Sequence, residues 1–470
     1  MDSSTPKANF RRYDPHQNLL LPPSLEDWLP EDHLARFISE FVDTQIDLTL
    51  FSHGYYNAEG GNLAFHPALL LKLWLYGYCI GTPTSRKVAR ATYDDVAFRW
   101  LAVDQHPTYS TLARFRERNL GNFHALFLRV LKLCQEADLV GGTRMALDGT
   151  KVKANASKHK AMSYERMGEA EKKLEAEVKA LLEEAARVDA EEDAKYGKGR
   201  RGDELPGEWA RRETRLRKIR EAKAALEGEA REAAERKQAE VEARLKERAE
   251  KEERGRKLGG RPPQAPDPEQ ARPEPKAQRN FTDPDSRIMK DGATKEFVQA
   301  YNAQAVVDSE AQVIVAAEVT QEANDKKQLV PMLEQVIALI ESKPQRAMAD
   351  AGYFTEASVT DDRLEGIDLF VAPDKQKHGD EVKVATGPPP PESSSVAERM
   401  RYKLRTAEGR AVYKRRKAVV EPVFGQIKEA RGFRRFLLRG LGKVSAEWKL
   451  ICATHNLLKL YRSGWSPQSA

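Results

Sequence analysis

Glu421 is the only acidic residue between Glu408 and Glu429, and it lies in the most basic stretch of the chain, Tyr413-Lys-Arg-Arg-Lys417-Ala-Val-Val-Glu421-Pro-Val-Phe-Gly-Gln-Ile-Lys428. A lone carboxylate among Lys and Arg is ordinarily an ion-pair partner with a depressed pKa. It can instead be a metal ligand beside a polyanion whose phosphates the cations neutralise, provided other carboxylates join it. Two are available, Asp148 and Asp350, each ending an apolar run that reads as a buried strand. Two divalent ions about 4 Å apart can activate an attacking oxygen and stabilise a leaving one in chemistry on phosphate esters. Mg²⁺ suits such a site, because it takes hard oxygen ligands and keeps water and substrate phosphates in the rest of its octahedron; Mn²⁺ is the expected substitute. Asp148 bridging two ions, with Asp350 and Glu421 completing one each, would meet the need. Taken singly, Asp148-Gly149 and Asp350-Ala-Gly352 are also ordinary turn formers; their joint placement favours the metal.

The elements around these residues have to bring them together. Thr143-Arg-Met-Ala-Leu147-Asp148-Gly149-Thr150-Lys-Val-Lys-Ala154 reads as a strand with Asp148 near its middle. Phe297–Val307, a turn at Asp308-Ser-Glu310 and Gln312–Ala317 form a hairpin. A helix over Gln328–Ser342 follows, then a short strand Arg346–Ala349 ending in Asp350, and a buried strand Asp368–Ala372. Residues 373–398, with prolines at Pro388–Pro391, form a loop or tether, and helices carry the chain to Tyr461. This order fits a mixed α/β sheet of the ribonuclease H type, whose strand ends converge on one crevice. Asn324-Asp325 faces the same end and is best read as a cap of the next helix. Asp283 and Asp285 either approach the site or form an Asx turn, and His455 reads as a packed helix histidine.

The rest of the chain divides by composition. Residues 1–140 form a helical domain in which His66-Pro67 starts an apolar helix over Ala68–Ile80. Two short helices between Ser85 and Leu101 precede a third, capped by Ser110 and carrying Arg114, Arg116 and Arg118. Such a trio resembles a helix-turn-helix unit that lays its last helix into a DNA groove, though a bundle with a solvated Arg face has the same pattern. Residues 161–256 form an inserted antiparallel helical hairpin. One seam is Met167, Leu174, Val178, Leu181, Ala185 and Val188; the break holds Gly197, Gly199, Gly202 and Pro206; the second seam is Leu216, Ile219, Leu226, Ala230 and Ala233. Residues 257–279 are a Pro-rich linker, and 141–160 with 280–465 make the sheet domain.

The 470 residues are 40% apolar and 32% charged, with a net charge of +6. Between Arg399 and Lys443 fifteen Lys and Arg stand against three acids, an electrostatic footprint suited to nucleic acid. Three scattered cysteines with no metal-type spacing argue against a disulfide framework or a structural zinc and for a reducing compartment. The first residues lack the apolar core of a signal peptide, and the longest apolar run is too short to span a bilayer. The expectation is a soluble cytoplasmic protein, associated with the nucleoid when bound to DNA.

Asp148-Gly149-Thr150, Asp350-Ala-Gly352-Tyr353 and the Tyr413…Glu421…Lys428 stretch resemble bacterial insertion-sequence transposases of the DDE class, and the helical block before Asp148 resembles that family's N-terminal domain. One branch carries Tyr, two residues, Arg, three residues, Glu, six residues, Lys. Glu421 and Lys428 keep that spacing; Lys417 stands at the Arg position counted from Glu421, and Arg416 at the Arg position counted from Tyr413. The resemblance implies recognition of terminal inverted repeats, hydrolytic nicking of double-stranded DNA, and attack of a freed 3′-OH on target DNA. It assigns metal binding to Asp148, Asp350 and Glu421, and DNA contact to Lys428, Lys417, Arg416 and Tyr413, in a homodimer holding two element ends. A non-catalytic DNA-binding protein with a degenerate core and a structural coiled-coil protein remain as alternatives. Pro422 disfavours a straight helix at Glu421.

Overall fold

The computed structural model describes residues 24–52, 64–196, 207–253, 261–292, 294–375, 384–385 and 387–467. The glycine-rich break at Gly197, Gly199, Gly202 and Pro206, the start of the N-terminal block and part of the 373–398 tether lie outside them. The chain forms two compact units, one running to Arg118 together with the last few residues, the other spanning Asn119–Trp465.

The first unit is helical: α1 Leu25–Trp28, α2 Leu34–Gln45, α3 Thr49–Ser52, α4 Pro67–Cys79, α5 Ser85–Asp94, α6 Val96–Leu101 and α7 Tyr109–Arg118. As the His-Pro signal implies, His66 Nδ1 accepts the N–H of Ala68 at 3.3 Å and Pro67 fills the first turn, where a missing N–H costs nothing. Helix α4 is buried nearly all round, its Trp74 Nε1 donating to Leu112 O at 3.2 Å. Thr84 and Asp95 cap α5 and α6. The third helix starts earlier than Ser110: Thr108 Oγ1 accepts the N–H of Thr111 at 3.2 Å and takes the capping role.

The second unit opens with α8 Asn122–Glu136, then β1 Arg144–Lys153, β2 Ala161–Ser163, α9 Tyr164–Tyr196, α10 Gly207–Glu253, β3 Gln278–Asn280 and β4 Arg287–Lys290. It continues with β5 Phe297–Asp308, β6 Ile314–Thr320, α11 Leu329–Ile340, β7 Arg346–Ala349, α12 Glu356–Val359, β8 Asp368–Val371, α13 Val396–Arg405, α14 Ala407–Gly425 and α15 Leu441–Ser463. The six-stranded sheet is mixed: β6 and β4 pair with β5, β5 lies antiparallel to β1, and β1, β7 and β8 run parallel. The expected fold class, a mixed α/β chain with a helical N-terminal region, is what these elements form. Helix α8, which composition groups with the N-terminal helices, belongs to this unit because its apolar face (Phe123, Leu126, Phe127, Val130) packs on α15.

Helix α15 ties its neighbours to the sheet through polar groups set in an apolar surface. Trp448 Nε1 donates to Gln304 O at 3.0 Å. Asn456 accepts the N–H of Ile314 and donates to its carbonyl, both at 2.8 Å, and so satisfies backbone that would otherwise be orphaned. Asp283 Oδ1 accepts the N–H of Gly440 at 3.0 Å and Asp285 Oδ2 that of Leu441 at 2.9 Å, so both aspartates hold the start of α15. His455 is buried, as expected; burial holds its imidazole well below the usual range, to about 3, and Nε2 lies 3.0 Å from Gln312 O.

The inserted hairpin is present. Met167, Leu174, Leu216, Ile219, Ala222 and Leu226 form its core, and Lys223 Nζ meets Glu171 at 2.8 Å across the two helices. Further along α10 the buried positions are Ala234 and Val241 rather than Ala233. No helix among the described residues is long and apolar enough to cross a membrane. Trp448 is fully buried; Trp448→Ala removes that bulk and the bond to Gln304, and should cost about 3–5 kcal/mol in urea unfolding.

Candidate active site

Asp148 occupies the middle of β1, as the sequence implies, opposite Ala305 of β5. On its other side β1 pairs with β7 in parallel, Arg144 with Arg346, Met145 with Ala347 and Ala146 with Met348. Two residues further, the same register sets Asp148 level with Asp350, just past the last residue of β7. Neighbouring strands lie about 4.8 Å apart, so the two carboxylates are held side by side by backbone alone. Each is steadied by its own turn: Gly149 N–H donates to Asp148 Oδ1 at 2.8 Å and Gly352 N–H to Asp350 Oδ1 at 2.7 Å.

The electrostatics follow from this crowding. Asp148 is pushed up to about 6, first by burial, against the pull of Arg416, and further by the like charge of Asp350. Arg416 Nη1 donates to Asp148 Oδ2 at 3.1 Å. Arg416 is buried and its guanidinium lies 5.9 Å from the ring of Tyr413, one turn earlier on α14. Arg416, expected at DNA, is turned inward on α14 onto Asp148. Tyr413 is half-buried beside it, its phenol held above the usual range by burial and by the two aspartates, against the pull of Arg416.

A further carboxylate, Asp325, lies near this pair without completing a three-acid cluster among the described residues. Its Oδ1 accepts from Asn302 Nδ2 at 2.6 Å and Gln304 Nε2 at 2.7 Å, and lies 3.7 Å from Lys151 Nζ. Burial holds the Lys151 ammonium below its usual range, against the attraction of Asp325, Asp148 and Asp350. Tyr353 donates to Gln304 Oε1 and closes the floor. Asp325 does not cap α11, whose first turn has no side-chain cap. The sequence carried a signal for this floor: Asn302 and Gln304 sit two apart within the otherwise apolar run Ala300–Val307, so both face one side of the sheet.

Glu421 stands apart from the aspartates. It is exposed on α14, five residues after Arg416 and hence about 140° round the helix from it. Among the described residues it has no ion pair, so the simple salt-bridge role is not realised either, although Lys417 is one turn away. No three of the described Asp, Glu, His and Cys side chains are gathered to hold one ion. Helix α14 runs through Pro422. Proline has no N–H for the carbonyl of Ala418, and Gln312 Nε2 donates to that carbonyl instead, at 3.1 Å. A π-helical turn, Gln426–Ala430, follows and carries Lys428, whose ammonium donates to Lys151 O at 2.9 Å. Lys417 is exposed.

In the first unit Arg114 and Arg118 are exposed on one face of α7. Arg116 does not share that exposed face. It is buried, donates to Tyr78 Oη at 3.3 Å and Pro83 O at 3.2 Å, and lies 4.6 Å over the ring of Trp74. An arginine one position off the exposed face of an amphipathic helix serves the core through its stem and its donors.

Residues 23–118 match a family described as a transposase domain (DUF772), and residues 375–461 match one described as a transposase DDE domain. No curated protein and no solved structure matches the chain.

Two expectations test the geometry. A Cβ at Gly149 would sit 2.7 Å from Asp325 Oδ1 and 3.0 Å from Asn302 Oδ1. Gly149→Ala should therefore destabilise the sheet unit by about 1–3 kcal/mol in urea unfolding. The second concerns protons. Folded Asp148 keeps its proton to about pH 6, against an ordinary 3.8, so its contribution to stability is full in acid and lost as pH rises through about 6. In EDTA, the melting temperature of the wild type relative to Asp148→Asn should fall across that window; a constant difference would refute the shift.

Proposed function

We propose that this chain, a transposase of the DDE type by its two matched domains, binds the terminal inverted repeats of an insertion sequence and catalyses strand cleavage and transfer into target DNA. The observation that carries the chemistry is the level placement of Asp148 and Asp350 on adjacent parallel strands, with Asp148 holding its proton to an unusually high pH. The strand order β6-β5-β1-β7-β8, antiparallel up to β1 and parallel from it, supports a ribonuclease H-like core.

The aspartate pair fits a divalent cation, Mg²⁺ or Mn²⁺. Both side chains offer hard oxygen donors, and a cation would relieve the repulsion that now raises the Asp148 pKa. When bound there, such an ion would activate the attacking oxygen and stabilise the leaving one at a phosphodiester. Glu421 is proposed as the third carboxylate. Its spacing to Lys428 supports this, as does the lack of an ion pair to it among the described residues.

The protein's own residues supply positioning. Arg416 keeps Asp148 oriented and offsets its charge while the site is empty of DNA. Lys428, fixed to the backbone of β1, and exposed Lys417 present positive charge beside the crevice for DNA phosphates. Tyr413 lies beside Arg416, within the field of both aspartates. Exposed Arg114 and Arg118 on α7 are the proposed contacts of the N-terminal unit with double-stranded DNA. A homodimer is proposed because two element ends have to be handled together.

With DNA bearing the element's own inverted repeats and Mn²⁺, the wild type should nick at the repeat ends. Asp148→Asn and Asp350→Asn should each lower the nicking rate by at least about 1000-fold while end binding stays within about threefold. Full nicking by either variant would remove the aspartates from the chemistry. Binding without any nicking by the wild type would favour a non-catalytic DNA-binding protein.

A further inference from the structure

Helix α14 presents consecutive arginines to two different places. Arg416 is buried on Asp148, while Arg415, about 100° further round the helix, is exposed at a separate groove. One part of that groove is a cavity of about 550 Å³ lined by Arg144, Ser309, Glu310, Gln312, Arg415 and Lys459. An adjoining cavity of about 220 Å³ shares Arg144, Ser309 and Arg415 and continues to Arg346 and Glu408. Arg144 and Arg346 are the first residues of β1 and β7, so the groove lies at the opposite ends of these strands from Asp148 and Asp350. At about 3.3 Å per residue, the four residues from Arg144 to Asp148 put it roughly 13 Å from the aspartates.

The charge in this groove is uncompensated. Arg144 and Arg415 have no carboxylate partner among the described residues. Lys459 Nζ donates at 3.1 Å to the neutral Gln312 Oε1, and burial together with Arg462 holds its ammonium below the usual range. Of the two acids, Glu408 is taken by Arg346 at 2.7 Å, which leaves Glu310 as the one acid of the groove without an ion pair among the described residues. Three cations thus face one carboxylate. All three line the larger cavity, together with Ala311, Ala418 and Val419, and Arg144 and Arg415 also line the adjoining one. A groove of two joined cavities, about 550 and 220 Å³, with unpaired cations is larger than one small anion needs and suits a phosphate backbone.

We infer that this groove takes the phosphate backbone of a DNA strand separate from the one at Asp148 and Asp350, so that the catalytic unit grips DNA at both ends of its parallel strands. The inference rests on the transposase reading for its ligand and on the groove for its place. With the strand seated, Arg144, Arg415 and Lys459 each neutralise a phosphate, and Arg416 is left to the aspartates.

The test uses the full chain and a duplex carrying one element end with flanking DNA. Binding is measured by fluorescence anisotropy across a salt series, for the wild type, for the triple variant Arg144→Gln, Arg415→Gln, Lys459→Gln, and for Arg415→Gln alone. Each lost phosphate contact lowers the slope of log affinity against log salt by about 0.9, so the triple variant should lose about 2.7 and the single about 0.9. Nicking at saturating DNA with Mn²⁺ should stay within about twofold of wild type. Unchanged slopes in a triple variant that melts like the wild type would overturn the inference. If the triple variant does not fold, Arg415→Gln decides alone, since its exposed side chain makes no bond that folding needs. Millimolar inorganic phosphate raising the melting temperature of the wild type but not the triple variant, with DNA slopes unchanged, would make this a small-anion pocket and also overturn it. Failure of the transposase reading shows differently: nicking surviving in Asp148→Asn, or absent from the wild type, with the slope changes intact.

Discussion

Asp148 and Asp350 lie level on neighbouring strands where burial already disfavours the charge of Asp148, and the second unit is arranged around that cost. The surroundings respond in three ways. Asp148 keeps a proton to higher pH, Arg416 is buried on it as a counter-charge, and Asp325 is held by two amides and Lys151. A buried ion pair of this kind contributes little net stability, because desolvation offsets much of its attraction. Its worth lies in placement. It holds Asp148 beside Asp350 with Arg416 as the counter-charge.

Helix α14 transmits that constraint outward. It carries the counter-charge on one face, the exposed Glu421 on another and Arg415 on a third, so its rotation about its own axis decides which of them meets the aspartates. The rotation is pinned by Val412, Val419, Val420 and Val423, which are buried, and by the bond from Gln312 to the Ala418 carbonyl that Pro422 leaves free. Gln312 is itself held in a left-handed turn, with φ at 60°, and touches Lys459 and His455 as well. One residue in the β5–β6 turn therefore links the proline of α14 to the packing of α15.

The helical hairpin enters between β1 and the rest of the sheet without disturbing the strand order. It is anchored by the small β2–β3 pair, by Arg279 of β3 and Arg287 of β4, which both meet Glu229 of α10, and by Tyr164, which donates to Glu227 at 2.6 Å. An insertion whose two ends lie on one short ribbon closes its own loop locally and asks little of the core. That is why a segment of this length can interrupt a sheet domain after its first strand.

Much of this was legible in the residues. Apolar runs located β1, β5, β7 and β8, because a strand covered on both faces has to be apolar throughout. The His-Pro signal located the start of α4, since orphan N–H groups need acceptors wherever the fold puts them. The positions of Asp148 and Asp350 on neighbouring strands were legible because each ends or interrupts such a run. Only the tertiary structure decided the rest. Which residues of α7 and α14 face solvent depends on how each helix is rotated against its core, and that rotation turned Arg116 and Arg416 inward. Edge strand β4 and the β2–β3 ribbon are too short to show a period. Asp325 became part of the site because β1 and β6 both pair with β5, which brings the segment after β6 to Lys151. Those residues lie more than a hundred positions apart in the chain, and local sequence cannot encode their meeting.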